Sequence, residues 1–186
     1  DMDNDGDMDI LSASQSDDTI AWYENTATFS FDPTWSASDI DTNADGATDV
    51  HVADMDGDGD LDIVSSSEVD DTIAWYENNG PTAGWSAANI DTNADGARRV
   101  FVADIDNDGD MDILSASSND NTIAWYENDG ASDPSWTASD IATDALAARS
   151  VFAADMDNDG DMDVVSASCN DDAIAWYENL GDTDDD

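Results

Sequence analysis

Val100-Phe101-Val102-Ala103-Asp104-Ile105-Asp106-Asn107-Asp108-Gly109-Asp110-Met111-Asp112-Ile113-Leu114 decides how this chain is read. An apolar run enters a nine-residue acidic segment, D-x-D-x-D-G-D-x-D, and another apolar run leaves it. The acidic segment occurs four times, starting at Asp1, Asp54, Asp104 and Asp155, at intervals of 53, 50 and 51 residues. Each time, 21 residues after the first Asp, an AWYEN segment places a Trp: Trp22, Trp75, Trp125 and Trp176. The fixed offset ties the acidic loop and the aromatic strand into one structural unit. A period of about 50 residues falls among propeller blades rather than short solenoid coils.

The unit reads as four short antiparallel strands. In the third copy, Val100–Ala103 enters the loop and Ile113–Ser117 leaves it. Thr122–Glu127 follows, with Ile123 and Trp125 on one face and Ala124 and Tyr126 on the other. Trp136–Ile141 is a weaker fourth strand. Turn-forming Asp, Asn, Gly, Pro and Ser separate them, and no helical period appears. A four-stranded sheet has two faces to bury, and stacking successive units buries both. The expected fold is therefore all-β: tandem four-stranded antiparallel blades of β-propeller type, about four units with incomplete ends. The units run approximately over 1–46, 47–96, 97–147 and 148–186, as a single repeat array over 1–186. The first lacks its entering strand and the last its fourth. The chain begins inside a motif, so the expectation is a piece of something longer or processed, or a chain whose neighbour supplies the missing strands.

The 186 residues carry a formal charge of −44, with 47 acids and only Arg98, Arg99 and Arg149 as basic side chains. Nucleic acid and anionic lipid are repelled by such a surface. Hydrophobic residues make up 40%, with seven Trp, enough to build a core and to set the chain apart from disordered acidic tails. No apolar run approaches a membrane-spanning length. The single Cys, Cys169, excludes an internal disulfide and reads as an incidental surface thiol. No N-x-S/T acceptor occurs.

The acid is almost all Asp, the residue favoured where a short side chain must ligate a metal or fold back in a turn. In each motif the first, third and fifth Asp offer carboxylates. The sixth residue, Gly, permits a sharp turn. The seventh would bind through its carbonyl, and the ninth closes the site. The candidate ligands are Asp1, Asp3, Asp5, Asp7 and Asp9; Asp54, Asp56, Asp58, Asp60 and Asp62; Asp104, Asp106, Asp108, Asp110 and Asp112; and Asp155, Asp157, Asp159, Asp161 and Asp163. These hard oxygen donors suit Ca²⁺, about four ions, one per loop, and soft-ligand metals find no Cys or His there. An EF-hand would need an acid at position twelve, which holds Ser12, Ser65, Ser115 and Ser166 instead. A weaker version of the spacing, Asp41, Asn43, Asp45 and Asp49, is either a fifth metal site or an Asx-type turn, and the turn is favoured.

The segments VFVADIDNDGDMDILSAS (100–117) and HVADMDGDGDLDIVSSS (51–67) resemble the FG-GAP/VCBS repeat family, and the AWYEN segment is similar to many bacterial VCBS-type repeats. The resemblance covers essentially the whole chain. It implies a β-propeller like that of integrin α chains, with calcium in a hairpin loop of each blade, and an extracellular, often adhesive protein. It also implies the ligand set given above. Propellers of the family commonly have more blades than this chain could complete.

Three functions follow from these residues. The first is a non-catalytic, extracellular or cell-surface, calcium-stabilised structural or adhesive module. It would be a protomer of a surface fibre or part of a large adhesin, with copies of itself, further repeats, glycans or cell-surface proteins as partners. The second is a carbohydrate-binding propeller, with Trp35, Trp85 and Trp136 as candidate glycan contacts. Packing between units is the favoured alternative for those three. The third is a polysaccharide lyase-like enzyme or a dehydratase. The only His, His51, takes the place held by Phe101 and Phe152 elsewhere, and Tyr23, Tyr76, Tyr126 and Tyr177 recur in every unit, which suits structure better than catalysis.

Overall fold

The structure is a computed structural model that describes residues 1–26, 33–80 and 83–181. The final five residues of the fourth unit lie outside the described residues. The described residues form no helix and fourteen strands. The first sheet contains β1 (Ile10–Ser14), β2 (Thr19–Asn25) and β3 (Trp35–Asp41). The second contains β4 (Ala47–Ala53), β5 (Asp62–Ser67), β6 (Thr72–Asn78) and β7 (Trp85–Asp91). The third contains β8 (Ala97–Ala103), β9 (Asp112–Ser117), β10 (Thr122–Asn128) and β11 (Trp136–Ala142). The fourth contains β12 (Ala148–Ala154), β13 (Asp163–Ser168) and β14 (Ala173–Tyr177). Each is an antiparallel meander in sequence order. Among the described residues, four sheets of three or four strands thus stand in tandem without closing on themselves.

Turn chemistry fixes the hairpins. Asp18, Asp71, Asn121 and Asp172 hold φ between 57° and 64° in the loops joining the second and third strands of the units. Asp and Asn tolerate that left-handed geometry better than other side chains with a Cβ. The register then sets each face: Trp125 lies opposite Leu114 and Tyr126 opposite Ile113. Ile123 and Trp125 pack toward the fourth sheet, Ala124 and Tyr126 toward the second. That alternation is what the sequence of β10 leads one to expect.

The core lies between sheets. Met55, Ile73 and Trp75 of the second sheet meet Ile113, Ala124, Tyr126 and Trp136 of the third. Met2, Ile20 and Trp22 meet Ile63, Ala74, Tyr76 and Trp85 in the same way. Ile20, Ile63, Ile73, Ile113 and Ile123 are fully buried. Each such burial contributes roughly 1.5–3 kcal/mol, so the junctions carry the fold. The first strands of successive sheets adjoin. There His51, Phe101 and Phe152 form a row, with ring centroids 5.1 and 4.5 Å apart.

Candidate metal sites

Each acidic motif spans the tight connection between the first two strand positions of a unit. Its backbone folds onto its own side chains. In the third unit, Gly109 N–H donates to Asp104 Oδ2 (3.0 Å), Asp108 N–H to Asp106 Oδ1 (3.3 Å) and Asp110 N–H to Asp108 Oδ1 (2.9 Å). The other loops repeat the scheme: Gly6 and Gly59 donate to Asp1 and Asp54. Gly160 donates to Asp155. Gly109 sits at φ +101°, a region costly for any residue with a Cβ.

This folding gathers the first, third and fifth carboxylates. Asp1, Asp3 and Asp5 offer oxygens within 4.8 Å of one another, as do Asp54, Asp56 and Asp58; Asp104, Asp106 and Asp108; and Asp155, Asp157 and Asp159. Two like charges at that separation repel by roughly 1–4 kcal/mol, depending on the effective dielectric. Asp1 Oδ1 and Asp104 Oδ1 are buried and accept no hydrogen bond. A buried anionic oxygen without a donor, facing two further carboxylates, is fitted to a hard cation. Asp56 and Asp106 have raised pKa values, burial being the largest cause and the neighbouring loop carboxylates a further one.

The ninth Asp has a different environment. Asp62 is 1% exposed, and its carboxylate accepts the backbone N–H groups of Met55 (3.0 Å) and Asn78 (2.8 Å). Asp9, Asp112 and Asp163 do the same with Met2 and Asn25, Ile105 and Asn128, and Met156 and Asn179. The ninth carboxylate thus clamps the loop onto the Asn that ends the AWYEN segment of its unit. Burial pushes the Asp62 and Asp112 carboxyls up to about 6 against the pull of those amides. The indoles of Trp75 and Trp125 lean toward them and lower the values slightly, without completing a hydrogen bond. Asp163 goes the other way, held low chiefly by the Asn179 N–H.

The loops are also joined across sheets. Asn4 Nδ2 donates to Asp60 Oδ1 (3.0 Å) and Asn107 Nδ2 to Asp161 Oδ1 (2.9 Å), so the fourth residue of one motif meets the seventh of the next.

The stretch Asp41, Asn43, Asp45 and Asp49 is arranged otherwise. Asn43 N–H donates to Asp41 Oδ1 in an Asx turn, and Tyr76 Oη donates to Asp41 Oδ2. Asp49 Oδ2 accepts from Val100 N–H (3.1 Å) and pairs with Arg99 Nε (3.3 Å). Among the described residues, the three-carboxylate groups are those of the four loops and do not include this stretch.

Trp85 stands edge-on to Trp22 at 6.4 Å, and Trp136 edge-on to Trp75 at 6.5 Å. Both are partly buried and pack between sheets, while Trp35 is exposed. Beside Trp125 there is instead a cleft of about 340 Å³, walled by Ile105, Ile141, Met162, Val164 and Tyr177. Cys169 is exposed.

One grouping escaped the sequence reading. Arg99 and Asp49 both act electrostatically on His51, although Arg99 is 48 positions away. Burial lowers the His51 pKa and keeps the ring neutral near pH 7. The signal was the equivalence of positions 49 and 99 on adjoining first strands, which brings an acid opposite a base.

The FG-GAP-like repeat model matches residues 1–65, 54–115 and 104–166. The chain belongs to the FG-GAP-like repeat family. A comparison with curated proteins found no match. Among the described residues no helix is long and apolar enough to cross a membrane.

Proposed function

We propose that this chain is a non-catalytic, calcium-stabilised structural or adhesive repeat module of the extracellular space or cell surface, its sheets arranged as blades of a propeller-type array. The observation that carries the reading is the carboxylate triad at the acidic loop of all four units, with an unsatisfied buried oxygen at Asp1 and Asp104. Calcium would be held by the first, third and fifth Asp of each motif, with the seventh carbonyl and the ninth carboxylate completing the oxygen set. Bound there, it supplies positive charge that offsets the repulsion within each loop. The chain's own part is to preorganise the triad through Gly59-type turns and to anchor each loop by its ninth Asp.

Extracellular calcium is abundant, which suits a protein whose −44 charge must be offset before it folds stably. The repetition of the same residues in every unit favours scaffolding over a unique reaction centre. Isothermal titration of the metal-free protein with Ca²⁺ tests the reading. About four ions per chain are expected, and no saturable calcium binding would refute it.

A further inference from the structure

The fourth residue of each acidic motif lies between two candidate ligands and takes a left-handed backbone: Asn4, Gly57, Asn107 and Asn158, at φ 60°, 74°, 61° and 66°. Asn and Gly both tolerate that geometry, so the turn alone does not choose between them. What Asn adds is reach. Asn4 Nδ2 donates to Asp60 Oδ1 of the second loop. Asn107 Nδ2 donates to Asp161 Oδ1 and, at 3.4 Å, to the Gly160 carbonyl of the fourth loop. Gly57 has no side chain to send to Asp110. A cleft of about 360 Å³ lies between the second and third loops instead, with Gly57, Gly109 and Asp110 on its walls. Two of the three loop-to-loop contacts are thus tied at motif position four, and the middle one is not. The Asn78, Asn128 and Asn179 amides cross all three junctions alike, so they do not set one apart from another.

Building on the calcium reading, we propose that the fourth motif residue sets which metal loops communicate: the first with the second and the third with the fourth, as two coupled pairs with a break at Gly57. Asn4 lies between Asp3 and Asp5, so drawing those two carboxylates onto a cation also fixes the Asn4 side chain. Asp60, which receives its amide, is the residue whose carbonyl would bind in the second loop. Occupying either loop therefore orders the half of the link that the other loop needs, and the gain in affinity is the same from both sides. Asn107 and Asp161 stand in the same relation. Each tie is an exposed hydrogen bond to a carboxylate, so the coupling is about fivefold in affinity, at the low end of the usual range.

The N–H groups of Gly6, Gly59, Gly109 and Gly160 each donate to the first carboxylate of their own loop. Their amide signals therefore report occupancy loop by loop in an NMR titration of the full calcium-free chain with Ca²⁺. Moderate salt screens the general effect of removing a charge. Asp56→Ala disables the second loop. The first loop is expected to bind calcium about fivefold more weakly, and the third, its neighbour on the other side, to change by less than about twofold. Asp106→Ala is the counterpart: the fourth loop should weaken and the second should not. In an Asn4→Gly background, Asp56→Ala should no longer affect the first loop. In a Gly57→Asn background, where the added Cβ meets nothing within 4 Å, it should begin to affect the third. Equal responses on both sides of a disabled loop, no response on either side, or responses indifferent to Asn4→Gly and Gly57→Asn would overturn the proposal while leaving the calcium sites in place. Glycine signals with no saturable shift in any loop would instead sink the calcium reading, and the coupling with it.

Discussion

The Asn128 side chain reaches across a sheet junction and donates its Nδ2 hydrogen to the Met55 carbonyl at 2.8 Å. Asn78 does the same to Met2 (3.0 Å) and Asn179 to Ile105 (3.0 Å). The same amide also donates to Met111 O, inside its own unit's loop. In the second, third and fourth units the last residue of the AWYEN segment thus ties its own acidic loop to the one before it. Asn128→Ala leaves buried carbonyls unsatisfied and should cost about 1–3 kcal/mol. It should also weaken calcium at Asp54–Asp62 as well as at Asp104–Asp112. Urea unfolding together with calcium titration of the variant reads both effects.

Asp106 is the central carboxylate of its triad and lies in the exposed part of the loop. Its removal takes a ligand without opening a core cavity. Asp106→Ala should lower the calcium stoichiometry from about four to about three. In calcium-free buffer it should leave stability unchanged or raise it, since one repelling charge is gone. Titration calorimetry and melting in parallel distinguish these outcomes.

Acid should act with opposite sign on the two forms of the protein. The Asp62 and Asp112 carboxyls have folded pKa values of about 6, above the unfolded value of 3.8. Between roughly pH 4 and 6 the folded metal-free chain therefore holds more protons than the unfolded one. Its stability rises as pH falls from 7 through 6 toward 4 and declines as pH rises through that window. Asp163, held low, opposes this with the reverse slope. Calcium needs the ionised carboxylates, so the loaded protein should lose stability over the same fall in pH. Tm against pH, with and without calcium, should give curves that converge on acidification.

Much of this was legible in the residues, for local reasons. The acidic motif brackets two strands by itself, and the period-two pattern of Ile123, Ala124, Trp125 and Tyr126 assigned both faces of β10. The four triads follow from alternate Asp around a Gly. What the sequence could not display is what depends on contacts between units. Asp62 reads as one more ligand, and only the fold shows it clamped by an amide 16 residues on, at Asn78. Asp49, His51 and Arg99 come together only because first strands adjoin. Trp35, Trp85 and Trp136 head near-identical strands, yet Trp85 and Trp136 stand against a Trp of the preceding sheet and Trp35 is open, a difference that lies in contacts between sheets and not in the strands themselves.

Gly130 lies at φ +67°, and a Cβ there would fall 2.0 Å from Asp110 Oδ2. Gly130→Ala must both strain the backbone and push the seventh motif residue aside. A loss of about 1–3 kcal/mol is expected, with weakened calcium binding in the third loop. Gly57→Ala is the control: its Cβ would meet nothing within 4 Å, so only the backbone term, at φ +74°, remains. Chemical denaturation of the pair separates steric from conformational cost.

The most direct test of divalent stabilisation is thermal melting of the intact chain in excess calcium and again after chelation. Four sites at a hundredfold excess over Kd contribute about 2.7 kcal/mol each, so the expected drop in Tm on chelation is roughly 20–40 °C. The same Tm in both buffers would contradict the metal-binding role of the four acidic loops.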